Sequence, residues 1–234
     1  MGWLLDKIQR CWIRIRFQPI RVFCFHQVSD EFEPETMWKC DWTQIEQFKQ
    51  NILVLKKKYR FISLPEVTEH LKQDRFRMKR YAALTADDGW ASLRDVLPWL
   101  TEHEIPITLF LNPECMIENF PKIRKTNPYL SKEEIEVLSS RFFPLVSIAS
   151  HGWSHEDCIN VSIDDFKTNV EKAEAALYEV QGKTPYYAFT FGHFRHEQIV
   201  YLKRQQLIPV YMDGAMNYSD EFCIHRELLD GKKL

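Results

Sequence analysis

The sequence predicts an α/β fold, a parallel (β/α) barrel, on three observations. Short apolar runs alternate with stretches of helical periodicity about seven times, the rhythm of repeated β-α-β units and a parallel sheet. No Pro-, Gly- or Ser-rich linker divides the chain. Polar residues able to bind ligands recur directly after the apolar runs, where a (β/α) barrel collects its chemistry. At 234 residues the chain is long enough for one such domain. A domain of this size buries roughly 70–75% of its unfolded surface and needs no covalent staples.

Residues 21–25 (RVFCF) read as the first buried strand. A helix over 43–59 follows, with Ile45, Phe48, Ile52 and Leu55 on one face and Thr43 as its N-cap. Lysines 56–58 sit at its exposed end, where they suit the helix dipole. Residues 60–63 give a short strand, and 64–73 a helix that tolerates Pro65 in its first turn. Strand 81–86, helix 92–103 and strand 107–111 come next. The connection over 112–130 carries three prolines and has the length of a segment that walls or covers a site. Ser131 and Glu134 form a capping box for a helix over 131–140. Strand 145–149, a helix over 162–181 stopped by Gly182, strand 186–190, helix 197–206, strand 208–212 and a short run at 222–224 complete the series.

The opening residues stand apart. Trp3, Leu4, Ile8, Cys11, Trp12 and Ile15 recur at helical spacing, with Lys7, Arg10 and Arg14 toward the other side. This predicts an N-terminal amphipathic helix over 1–20. Two settings are open to it. Residues 3–16 can make peripheral contact with a membrane interface, or the helix can pack on the domain or on a second copy, which leaves a homo-oligomer open.

Hydrophobic residues make up 45% of the chain and charged residues 27%, a globular balance that excludes a disordered chain. With 31 Lys plus Arg against 33 Asp plus Glu the net charge is -2. The basic excess of a phosphate-gripping protein is missing, so no nucleic acid partner is expected. Cys11, Cys24, Cys40, Cys115, Cys158 and Cys223 are dispersed and form no C-x-x-C pair. They read as free, mostly buried thiols of a reducing compartment. No cleavable signal peptide and no run of ~18 apolar residues is visible. The expected location is therefore cytoplasmic, peripheral on the inner membrane face if residues 3–16 bind lipid.

Polar residues follow strand after strand. His26 comes after the first, Asp87, Asp88 and Gly89 after the YAALTA run, and then Asn112, His151 with His155, Phe191 with Gly192 and His193, Asp213 with Gly214, and His225. Neighbouring carboxylates leaving a strand point in different directions, so one can ligate a metal while the other takes a proton. A divalent cation also removes the conflict between two unpaired acids. The plain competitor is a solvated Asp-Asp-Gly turn. His151 and His155, four apart, converge on one helix face or in a tight loop, which suits metal ligation. With a carboxylate from another strand end they make a two-His, one-carboxylate set that leaves positions open for water and substrate. His70, His103 and His196 read as surface or capping residues.

These segments carry a family likeness. Leu84-Thr85-Ala86-Asp87-Asp88-Gly89 resembles the T-F-D-D-G motif of the polysaccharide deacetylase family, the carbohydrate esterases typified by nodulation-factor deacetylase. Ser150-His151-Gly152-Trp153-Ser154-His155 resembles that family's H-[ST]-x-x-H metal motif. Tyr187-Ala188-Phe189-Thr190-Phe191-Gly192 resembles its third motif in the F-A-Y-P-Y-G form, and Phe25-His26-Gln27-Val28 a Y-H-x-V opening. The likeness runs over about 22–226. It implies a distorted (β/α)7 barrel and metal-dependent removal of an acetyl group from a sugar. It makes Asp87 the general base and Asp88, His151 and His155 the metal ligands, with the backbone near Phe191 helping to hold the oxyanion. His26, His193 and His225 are the candidates for the general acid. The chain departs from the pattern at Ala86, where Phe is usual, at Gly152, where Ser or Thr braces the loop, and at Ala188, where the third motif has Arg. No clear Leu-x-His motif closes it.

The expected function is metal-dependent hydrolysis of an N-acetyl, in preference to an O-acetyl, group on a carbohydrate. The catalytic domain spans 21–234, the partner is an acetylated saccharide and the divalent metal is Zn2+ by first choice, although such ligand sets also accept Fe, Co or Ni. Trp90, Asn112, Trp153 and Phe191 are the candidate substrate contacts, the aromatic rings by stacking on sugars. Two other classes stay open: a carbohydrate-binding barrel that has lost its general acid, and a non-haem Fe(II) oxygenase, which uses the same ligand set. The second carboxylate and the β-α rhythm speak against the oxygenase.

Overall fold

The computed structural model describes residues 18–32, 41–73, 79–117, 128–218 and 222–234. Most of the helix expected over 1–20, and residues 118–127 of the long connection, lie outside them. The strands are β1 (Arg21–Phe25), β2 (Gln27–Ser29), β3 (Trp42–Gln44), β4 (Arg60–Phe61), β5 (Tyr81–Asp87), β6 (Ile107–Leu111), β7 (Val146–Ser150), β8 (Tyr186–Ala188), β9 (Ile208–Tyr211), β10 (Ile224–His225) and β11 (Glu227–Leu228). The α-helices are α1 (Ile45–Lys58), α2 (Leu64–Lys72), α3 (Leu93–Glu102), α4 (Pro113–Ile117), α5 (Lys132–Arg141), α6 (Ile163–Gln181) and α7 (His196–Arg204).

β9, β8, β7, β6, β5 and β1 lie side by side and parallel. The last two strands close the ring. β10 pairs with β9 through Ile224 and Val210, and β11 pairs with β1 through Phe23 and Glu227. They are two halves of one stave, broken at Arg226, whose N–H donates to Tyr211 O at 2.9 Å and whose carbonyl accepts from Gly214 N at 2.8 Å. The result is the nearly closed (β/α)7 barrel that the sequence predicts. β4 adds to the start of β5, and β2 and β3 form a separate parallel pair.

Val22, Ala83, Phe110, Ala149, Ala188, Val210 and Ile224, one from each stave, meet in a single buried cluster. The alanines keep this interior narrow, and the Phe110 ring fills it. The outer layer forms where helices lay apolar stripes on the sheet: Phe48, Ile52 and Leu55 of α1, and Leu93, Val96, Leu97 and Leu100 of α3, are all buried. β6 is buried along its whole length, as expected of a central parallel strand covered on both sides.

Several local expectations hold. Ser63 with Glu66 and Ser131 with Glu134 form capping boxes, and Pro65 sits in the first turn of α2. Gly182 ends α6 at φ +83°, a conformation that a side chain disfavours. Others need correction. Thr43 does not cap α1: it belongs to β3, and its hydroxyl accepts from Gly231 N at 3.0 Å. The strand predicted to run through residue 190 stops at Ala188, because Thr190–Gly192 coil into a 3-10 turn. Cys24, Cys115, Cys158 and Cys223 are free, and no described helix is long and apolar enough to cross a membrane.

Candidate active site

β5 delivers both carboxylates. Asp87 is its last residue and points into the barrel end, 2% exposed. Asp88 follows at φ +70°, a left-handed turn that aspartate tolerates better than most residues, and the reversal sends its side chain elsewhere. Gly89 continues the turn at φ +75°, and a Cβ there would meet Leu111 at 2.9 Å. Trp90 then bridges to Tyr129, ring centroids 4.6 Å apart, while its indole N–H donates to Asp88 Oδ2 at 2.9 Å.

His151 follows β7 and His155 lies on the loop beyond it, so the pair converges through a loop and not a helix face. Asn112 donates to the carbonyls of His151 and Gly152 at 2.6 and 3.2 Å. Asn169, from α6, accepts from Trp153 N at 2.7 Å and donates to Ser154 Oγ at 2.8 Å. The His155 ring packs on Phe191, which a φ of +57° turns toward it. Asp88 Oδ1 lies 3.4 Å from His151 Nε2 and 3.1 Å from His155 Nε2.

This arrangement fits a cation. His151 Nδ1 is 2.9 Å from Ala188 O. A carbonyl only accepts, so Nδ1 carries a hydrogen, and Nε2 is the ring nitrogen turned toward Asp88. Asp88 Oδ1 is buried and short of a hydrogen-bond donor. A carboxylate oxygen and two imidazole Nε2 atoms face each other across a gap that a divalent ion would satisfy. Asp88, His151 and His155 form such a group, with all ligand atoms within 4.8 Å of one another.

Arg226, at the break in the closing stave, holds Asp87 with both terminal nitrogens, Nη1 to Oδ1 at 2.6 Å and Nη2 to Oδ2 at 2.8 Å. Burial alone would raise the Asp87 carboxyl, but Arg226 and then His151 hold it below its usual range. Burial acts on Asp88 in the same direction, and the imidazoles of His151 and His155 outweigh it. Next to Asp87, just past the end of the neighbouring β1, His26 Nδ1 lies 2.6 Å from Asp230 Oδ2, and the His26 N–H also points at that carboxylate. Burial would lower His26, yet the Asp230 hydrogen bond and the charges of Asp88 and Asp87 raise it to about 10. Burial pushes Asp230 up to about 6. The proton of this pair therefore stays on His26 through neutral pH.

Asp87, Asp88, His151, His155, His26, Trp90 and Phe191 line one cleft of about 420 Å³ together with Asp41, Tyr129, Met212 and Arg226. Four expected residues stand elsewhere. His193 pairs with Asp157 at 3.0 Å and His225 with Asp213 at 2.7 Å, both outside the cleft lining. Asn112 is fully buried beneath the histidine loop, and Trp153 also lies off the cleft wall. The sequence reading missed Arg226, Asp230, Asp41 and Tyr129. The one arginine of the short final run Ile224–Leu229, with Ile224 and Leu228 two residues to either side, is the available signal for Arg226.

Comparison with known proteins places these features in context. The family model described as polysaccharide deacetylase matches residues 75–207, more than half of the chain. No protein of curated function matches it in sequence. Among solved structures, IcaB from Ammonifex degensii has a TM-score of 0.75 at 19% identity, covering 92% of this chain and 94% of its own. The deacetylase PplD from Streptococcus pyogenes, in complex with acetate, has 0.75 at 17%, covering 91% and 93%. A de-N-acetylase from Aggregatibacter actinomycetemcomitans has 0.74 at 15%, covering 90% and 95%. At these identities the likeness is one of fold.

Proposed function

The chain belongs to the polysaccharide deacetylase family, and from that premise we propose that it hydrolyses the N-acetyl group of an acetylated saccharide with the help of a divalent cation. The observation that carries this reading is Asp88 Oδ1, buried without a donor and faced by Nε2 of both His151 and His155. A divalent cation held by these three side chains would supply Lewis acidity and a more acidic water, and zinc suits a set of two imidazoles and one carboxylate.

The other side chains divide the proton work. Asp87, kept ionised by the Arg226 fork, is placed to take a proton from the attacking water. His26 lines the same cleft beside Asp87 with a proton to give, and Asp230 fixes its ring. As the C–N bond breaks, that proton passes to the leaving nitrogen, and the water oxygen departs with the acetyl group as acetate. Trp90 and Tyr129, whose tilted rings lie 4.6 Å apart, and the exposed Phe191 offer flat faces to a sugar ring. The similar de-N-acetylase supports this choice of bond. Family membership favours hydrolysis over the oxygenase alternative.

The test is acetate release from N-acetylated and O-acetylated oligosaccharides by protein stripped of cations and reloaded with zinc. Release from the N-acetylated substrate is expected, lost in Asp88→Ala. Release from O-acetyl substrates alone would make the protein an esterase. Cation retention with no release from either would support the carbohydrate-binding barrel.

A further inference from the structure

Six cations ring a shallow depression of about 620 Å³ at the end of the barrel opposite the cleft: Lys56, Lys57, Lys58, Arg60, Lys79 and Arg80. All six are exposed. Among the described residues none of them forms an ion pair, and the one acid lining the depression is Glu104. Topology gathers them. α1 ends at Lys58, β4 starts at Arg60, and Lys79 and Arg80 lead directly into β5. β4 and β5 are parallel, so their starts share one end. A helix dipole accounts for lysines at the end of α1, but not for Arg60, Lys79 or Arg80. In a chain of net charge -2, this is a local concentration of positive charge.

Two further features lie at the same end. Phe143, 71% exposed, stands in the turn that leads into β7. The chain also enters β1 from this end, through residues 18–20. The sequence just before them places Trp3 and Trp12 among Lys7, Arg10 and Arg14.

We propose that this end of the barrel is a docking surface for an anionic lipid bilayer. Anionic lipid rewards the cations, and the headgroup region rewards an exposed aromatic ring at the same end, Phe143. A soluble polyanion would reward only the charge. One consequence follows for the active site. β5 is seven residues long, so its ends are about 20 Å apart. The cleft at Asp87 and Asp88 therefore opens away from the bound bilayer, toward saccharide that extends from the surface or arrives from solution.

Flotation of the full chain with vesicles of phosphatidylcholine, alone or mixed with phosphatidylglycerol, tests this. Binding to the anionic vesicles only is expected, and salt should release it. The triple variant Arg60→Glu, Lys79→Glu, Arg80→Glu leaves residues 1–17 intact. Each basic residue near an anionic surface contributes roughly fivefold in partitioning. The variant should bind at least about a hundredfold less, with its unfolding temperature and acetate release unchanged. Phe143→Ser should weaken vesicle binding while leaving any binding of soluble polyphosphate untouched. The proposal is overturned if the triple variant floats like the parent, if the parent ignores phosphatidylglycerol, or if polyphosphate binds the parent as tightly as the vesicles do.

Discussion

Arg226 grips both carboxylate oxygens of Asp87 from 139 residues away in sequence, with each partner about as buried as a core leucine. The same Nη1 also reaches Thr85 Oγ1 at 3.2 Å and Cys24 Sγ at 3.3 Å, and the guanidinium lies 5.0 Å from the Phe110 ring centroid. The barrel therefore closes on an ion pair that belongs to the active site, so closure of the fold and the charge of Asp87 are linked.

Removing one partner should cost more than removing both. Arg226→Met leaves Asp87 ionised and buried without compensation, a loss of about 3–5 kcal/mol. At about 2–4 °C per kcal/mol for a chain of this size, the unfolding temperature should drop by roughly 10 °C. Asp87→Leu combined with Arg226→Met should recover most of that stability and none of the activity. Urea unfolding of the two single variants and the double variant checks this. A double variant as unstable as the sum of the singles would mean that the two residues act separately.

The barrel and three of its functional strand ends are legible in the sequence because parallel strands announce themselves as apolar runs and polar residues cannot hide at their ends. His26, Asp87, Asp88, His151 and His155, at the ends of β1, β5 and β7, are found that way. Arg226 and Asp230 are harder to see because their roles depend on ring closure: His26 meets Asp230 across 204 residues, and no local pattern encodes such a pairing. The split of the last stave at Arg226 made its halves too short for periodicity to register. Thr43 looked like a helix cap because threonine favours both caps and strands, and only the docking of the C-terminal turn at Gly231 decides between them. At Ala188 the third motif lacks its arginine; the guanidinium in this site comes instead from Arg226.

The loop between the two histidines hangs on Asn169. A Cβ at Gly152, which sits at φ +81°, would lie 2.7 Å from Asn169 Oδ1. Asn169→Ala should therefore loosen His155 relative to His151 and weaken cation retention about 10–100-fold, the usual scale for residues that orient ligands. Gly152→Ala should do the same by displacing Asn169. Elemental analysis after titration with a chelator measures the effect. Unchanged retention in Asn169→Ala would mean that the Asn112 hydrogen bonds hold the loop alone.

Glu174 gives the fold a pH dependence outside the catalytic cleft. Burial raises its carboxyl to about 7, against the lowering effects of Lys183 and the Ser150 hydroxyl. In the unfolded chain a glutamate titrates near ~4.3. Between these values the folded state binds more proton than the unfolded one, so stability falls as pH climbs from about 4.3 to 7 and levels off above. Glu174→Gln removes that loss. It should leave stability nearly unchanged at the acid end and gain on the order of 2 kcal/mol at pH ~8. Urea unfolding at the two pH values tests it, and an equal gain at both would show packing and not titration.

His26 is the residue whose loss should depend on the leaving group. It lines the cleft beside Asp87, its proton is retained by Asp230 at 2.6 Å, and an amine departs from an amide only if it is protonated. His26→Gln should therefore lower kcat on an N-acetylated saccharide by about 10²–10⁴-fold. On an aryl acetate with a good phenolate leaving group the same variant should stay close to the parent, because that oxygen leaves without a proton. Asp230→Asn should follow His26→Gln in direction, since it frees the ring and removes the charge that keeps it protonated. His193→Gln and His225→Gln, whose rings pair with Asp157 and Asp213 outside the cleft, should retain amide hydrolysis. Cation content should stay constant through the series. Equal loss on both substrates in His26→Gln would reduce His26 to a structural role, and selective loss of amide hydrolysis in His225→Gln would move the acid to the closing stave.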